Sequence, residues 1–208
     1  GLVGSEMCIR DSFGGPLQGL RVADLTAGRR LHEMNFDLTL TRAKAADLAA
    51  AFAAHPGGLF GADYAALVAL LPIDNSGFLT GSIDLVFRAD LETSGGDGRW
   101  WVADWKSNWL GRRDGDGQPL ACGPHHYSQA AMAALMAVSH YPLQAHLYLV
   151  ALHRYLGWRL RGYVPEEHLG GYAYVFLRGT PGAAGEAALP GAVPGLSLIH
   201  ISEPTRPY

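Results

Sequence analysis

Two cysteines in 208 residues, Cys8 and Cys122, are too few for a disulfide scaffold, and they exclude a four-cysteine zinc or iron–sulfur centre. That scarcity fits a reducing, cytoplasmic setting. No apolar run approaches the roughly 18 residues of a membrane span, so no membrane role is expected. A secretory leader pattern is also lacking. Charged residues are only 17% of the chain and the net charge is −3. Nucleic-acid binding would therefore rest on local basic groups or bound cations rather than on the overall balance. No G-x-x-x-x-G-K-[ST] loop occurs, so no ATP site can be argued. No internal repeat is visible.

What is present is enough for one domain with a core: 208 residues, 49% of them hydrophobic. The ends, GLVGSEMCIRDS (residues 1–12) and SLIHISEPTRPY (residues 197–208), read as foreign additions resembling translated adapter sequence. That leaves a domain over residues 13–196. Leu31 to Leu40 alternates, with His32, Met34, Phe36, Leu38 and Leu40 on one side and Glu33, Asn35 and Asp37 on the other, which predicts a half-buried strand. Arg42 to Ala54 is alanine-rich and predicts a helix ended by His55-Pro56-Gly57-Gly58. Asp63 is placed to cap a second helix running to Leu71.

Gly77 to Arg88 and Trp100 to Ser107 predict a hairpin across the glycine-rich turn Glu92 to Gly98. A polar loop, Gly111 to Pro124, follows. Helices are predicted over Tyr127 to Ser139 and from Pro142 to about Arg161, and a last strand over Gly171 to Leu177. Ala183 to Gly195 is low-complexity loop. The order is that of an α/β (α+β) fold.

The segment RWWVADWKSNWLG holds the chemistry. Side chains two apart on a strand share a face, so Trp100, Val102, Asp104 and Lys106 point one way and Trp101, Ala103 and Trp105 the other. On the partner strand Ser82, Asp84 and Val86 share one face, and Ile83, Leu85 and Phe87 the other. The hairpin can therefore bring Asp84 beside Asp104, with Lys106 next to them. Two carboxylates forced together repel and need a positive group. Hard oxygen donors favour Mg²⁺, with Mn²⁺ or Ca²⁺ as substitutes in binding. Two aspartates holding a metal beside a lysine suit phosphoryl chemistry. The plain alternative is an exposed Asp-Lys ion pair at a strand end, worth roughly 0–1 kcal/mol.

Four blocks, GFLTGSIDLVF, ADWKSNWLG, YSQAAMAALMAVSHYPLQAHLYLVALHRYL and GGYAYVFLRG, resemble in order and spacing the C-terminal nuclease domain of RecB, a member of the PD-(D/E)xK nuclease superfamily. The resemblance covers about Leu31 to Gly179. It implies a restriction-endonuclease-like core, a mixed central sheet flanked by helices. It implies that Asp84 and Asp104 bind the metal together with the backbone carbonyl of Trp105, and that Lys106 is the catalytic lysine. Glu33 falls where the family carries a further active-site acid, and Gln144 and Tyr148 match its Gln-x-x-x-Tyr motif. As i and i+4 residues on one helix these two also suit a core position beside Leu147 and Ala151. The family has an upstream metal-ligand histidine. No histidine precedes His32 here, and the role is not assigned to it. The pair His125-His126 lacks a ligand pattern.

The resemblance implies a Mg²⁺-dependent DNA exonuclease domain of a RecBCD-type helicase–nuclease in double-strand-break repair and recombination. Its partners would be single- and double-stranded DNA ends, RecC- and RecD-like subunits and a recombinase. The alternative is a catalytically incomplete fragment that guides DNA or docks the recombinase.

Overall fold

A computed structural model of the chain describes residue 17, residues 20–54, 62–89 and 98–180, and the backbone of residues 196–200. Strand β1 (Arg30–Lys44) turns Met34, Phe36 and Leu38 onto one face, as the alternation predicts. It does not stop at Leu40. Its antiparallel partner β2 (Asp74–Ala89) stays paired through a register shift, so that Ala43 lies opposite Asn75 and Lys44 opposite Asp74. Arg42, expected to open a helix, is a strand residue instead. Its guanidinium grips Asp74 with two hydrogen bonds of 2.8 Å. Continued backbone pairing overrides local helix propensity there, a non-local effect that propensity cannot see.

Helix α1 (Ala45–Ala54) therefore starts three residues late, and it packs on α2 (Ala62–Ala69), where Phe52 meets Tyr64 edge-on at 5.0 Å. Strand β3 (Arg99–Lys106) returns antiparallel beside β2. The tight turn expected between them lies outside the described residues, apart from Gly98 with its φ of 81°. Helix α3 (Gln129–Val138) starts two residues late because Ser128 caps it, its Oγ accepting from the Ala131 N–H. Helix α4 (Tyr141–Arg159) carries Pro142 in its first turn, as predicted. A short helix, α5 (Pro165–His168), leads into β4 (Leu169–Phe176), which runs parallel to β3.

Strand β5 (Leu196–His200) pairs antiparallel with β4 and completes a mixed sheet of order β1-β2-β3-β4-β5. Residues 197–200, read from the sequence as the start of a foreign tail, thus contribute backbone pairing here. The remainder of both tails and the Ala183 to Gly195 loop lie outside the described residues.

One sheet face packs Met34, Ile83, Val102, Tyr174 and Phe176 against Met132, Met136, Leu152 and Leu156 of α3 and α4. The other packs Leu85, Phe87, Trp101 and Val175 under Leu17, Val22 and Leu25. The fold is a mixed α/β sheet flanked by helices. Trp101 is fully buried against the backbone of Gly170, where a Cβ would enter the indole ring. Gly170→Ala is expected to destabilise the chain by about 1–3 kcal/mol through overpacking, read as a lowered melting temperature. An unchanged melting temperature would mean that the indole has room to shift.

Candidate active site

The β2–β3 ladder runs from Ala89 opposite Arg99 to Leu85 opposite Ala103 and then stops. The next opposed pair would be Asp84 and Asp104. Here the strands part. The Trp105 N–H, which would have continued the ladder, donates instead to Asp84 Oδ2 at 2.9 Å. A residue's N–H and C=O point to the same strand edge, so the Trp105 carbonyl is also directed toward Asp84. The next carbonyl, that of Lys106, faces the other way and accepts from the Leu177 N–H at 2.9 Å.

A break in alternation accompanies the parting. Ile83 belongs with Met34 to the helix-side core, whereas Leu85 belongs with Phe87 to the opposite one. The expectation that Ile83 and Leu85 share a face is therefore wrong. The two strands change face together at a single step. On β1 that step is Glu33, whose φ of 50° lies in the left-handed region. The pairs His32 with Leu85 and Met34 with Ile83 place Glu33 across from Asp84. Such a backbone costs about 1–3 kcal/mol in a non-glycine residue, and strain of this kind gathers at functional sites. The Glu33 side chain is exposed.

Asp104 and Lys106 share the helix-side face, as the period-two reading predicts. They are not an exposed pair: Asp104 is 5% and Lys106 8% exposed, with Nζ 2.6 Å from Asp104 Oδ2. The ammonium also donates to Gln144 Oε1 at 2.8 Å. It sits over the ring of Tyr141 at 3.9 Å and that of Tyr174 at 4.8 Å. Burial drives the Asp104 carboxyl above its ordinary range. Lys106 opposes this, and the charge of Asp84 adds to it.

Gln144 and Tyr148 belong to this cluster rather than to the core alone. Gln144 Nε2 donates to the Tyr148 hydroxyl at 2.9 Å, and the phenol lies near enough to Asp104 to lower its carboxyl. Burial, reinforced by the Asp104 charge, pushes the Tyr148 phenol up to about 12, so it stays a donor at neutral pH. Its ring meets Phe36 edge-on at 5.9 Å.

Sequence reading missed three supports. Tyr174 lies opposite Asp104 in the parallel register, and its hydroxyl reaches the Tyr141 carbonyl at 2.7 Å and Gln144 Oε1 at 3.1 Å. The Tyr141 hydroxyl donates to Asn108 Oδ1 at 2.9 Å. Tyr174 could have been found from the alternation in GYAYVFL had the register been known; nothing local marks Tyr141 or Asn108.

Among the described residues no three His, Cys, Asp or Glu side chains gather closely enough to form a metal cluster. His32 is exposed, and His125 and His126 stack on one another at 3.9 Å. The donor set at the parting of β2 and β3 is two carboxylates and a carbonyl directed to the same edge. Lys106 balances the buried Asp104, so the half-buried Asp84 leaves one net negative charge among hard oxygen donors, which fits a hard divalent cation.

No family model matches the chain. Part of it is 49% identical over 107 residues to the RecBCD enzyme subunit RecB of Mycolicibacterium smegmatis, covering 51% of this chain and 9% of that protein. The same subunit of Escherichia coli is 39% identical over 127 residues, 61% of this chain and 9% of that protein. That of Mycobacterium tuberculosis is 44% identical over 108 residues, 52% and 8%. The chain is thus homologous to RecB over at least half its length, while spanning less than a tenth of these relatives.

Proposed function

We propose that this chain is the nuclease portion of a RecB-type helicase–nuclease subunit, hydrolysing phosphodiester bonds of DNA during double-strand-break repair and recombination. The observation that carries this reading is the buried Lys106–Asp104 pair at the point where β2 and β3 part, with Asp84 across the gap. The RecB relatives support it independently.

Asp84, Asp104 and the Trp105 carbonyl are the groups that would hold Mg²⁺. When bound, it would supply Lewis acidity to a phosphoryl oxygen and lower the pKa of water. Lys106 presents a fixed positive charge to the same opening, suited to steadying negative charge that grows on the phosphate. Gln144 orients that ammonium, and Tyr148, accepting from the Gln144 amide, fixes which way Gln144 faces. Glu33 lies across from Asp84 in the β1 register, but its exposed side chain does not join the two aspartates in a three-member cluster. The superfamily resemblance gives a 5′ phosphate and a 3′ hydroxyl as products. RecC- and RecD-like subunits and the motor would deliver the DNA end, so an overall basic surface is not required. A cytoplasmic location follows from the same reading.

One observation favours a second reading, a DNA-guiding or recombinase-docking module: the lack of a third metal-binding side chain among the described residues. Incubating the chain with linear single-stranded DNA separates the two. Cutting in Mg²⁺ that stops with chelator supports the nuclease. DNA bound but uncut at any Mg²⁺ concentration supports the guide.

A further inference from the structure

Beyond the carboxyl end of the parallel pair β3–β4, two residues follow the site directly. Ser107 continues from Lys106, and Arg178 lies two residues past Phe176, the register partner of Lys106. The carboxyl ends of parallel strands are where α/β sheets receive ligands. Arg178 is exposed, yet its head group is held at two points. Its Nε donates to the Ser107 carbonyl at 3.1 Å, and its guanidinium lies over the Trp109 ring, 5.6 Å from the centroid.

Among the described residues it has no carboxylate partner, and its two terminal nitrogens make no hydrogen bond. A guanidinium pinned through Nε and a ring face presents its remaining N–H groups as a fork. That is the geometry of bidentate phosphate recognition, and the entropy of ordering the side chain is already spent. Arg42, also exposed, differs in having its fork filled by Asp74.

The geometry points to Arg178, steadied by Trp109, as a binding residue for a backbone phosphate of the DNA strand next to the one being cut. This rests on the nuclease reading and deepens it. Arg178 acts in holding substrate and not in the chemical step. Its removal weakens binding while leaving turnover intact.

The test uses the full chain, a labelled single-stranded oligonucleotide and four proteins: wild type, Arg178→Gln, Arg178→Lys and Trp109→Leu. Cleavage in Mg²⁺ gives kcat and KM across a salt series, and anisotropy in Ca²⁺ gives binding directly. Arg178→Gln is expected to raise KM about tenfold, leave kcat within about twofold and lower the salt slope by about one. Arg178→Lys keeps the slope but regains only part of the affinity, because it lacks the fork. Trp109→Leu follows Arg178→Gln in KM and leaves the slope nearer wild type.

Wild-type cutting with KM and slope unchanged in Arg178→Gln overturns this proposal alone. A fall in kcat with a lowered melting temperature and no change in KM assigns Arg178 to loop structure and overturns it too. Binding that depends on Arg178 without any cutting upholds the phosphate contact, while the nuclease reading, and with it the placement beside a cut, falls. No binding and no cutting by wild type removes both.

Discussion

Lys106→Met is expected to lower kcat for DNA cleavage by roughly 10²–10⁴, the range typical of a group acting on proton or charge in the transition state. The ammonium is not a free surface cation that a neighbour could replace. Asp104, Gln144 and two tyrosine rings hold it in one place. The loss should therefore fall on kcat rather than on KM. Turnover must be expressed per folded molecule, by circular dichroism at the assay temperature. Gly170→Ala is the matched control, since it disturbs the opposite sheet face and not this cluster. It should lose stability and keep kcat. A Lys106→Met protein that cuts at wild-type rate would move the active site elsewhere.

The same substitution is expected to have a second, separate effect. Removing one partner of a buried ion pair costs about 3–5 kcal/mol, because the other is left uncompensated. Burial already raises the Asp104 carboxyl, and Lys106 is the main group that opposes the rise. Without the lysine it takes up a proton at a higher pH. Lys106→Met should lower the melting temperature by roughly 6–20 °C in a chain of this size. Adding Asp104→Asn should return much of the loss, since no unpaired charge then remains. Thermal melts of the two single variants and the double variant, without divalent cation, form the cycle. Additive losses would show that the two side chains are not coupled and that the 2.6 Å contact contributes little.

Much of the site can be read along the chain because strand alternation is a local property. Period two was enough to put Asp104 and Lys106 on one face and to bring Asp84 opposite across the hairpin. A four-residue step on a helix was enough to join Gln144 to Tyr148. Proline likewise announced the start of α4, whereas Ser128, which caps α3, was passed over and that helix was read two residues early. Errors arose where the answer depended on a distant partner. Arg42 looked helical among alanines, but Asp74 and the β2 backbone hold it extended. Ile83 looked like a companion of Leu85, but a left-handed residue on the neighbouring strand turns it to the other core.

The amino-acid sequence by itself thus determined that Asp84, Asp104 and Lys106 meet, that Gln144 and Tyr148 share a helix face, and that strands and helices both build the fold, since each follows from spacing within one element or one hairpin; the mixed sheet and the site role of the helix pair were implied only by the resemblance to RecB. Only the tertiary structure decided what those groups experience. Burial of the ion pair, the tyrosines around the ammonium and the capture of the Trp105 N–H by Asp84 all join residues about twenty to seventy positions apart. The fork at Arg178 belongs to the same class. No local propensity encodes such contacts, because they exist only once the strands have paired in register and α4 has packed across them.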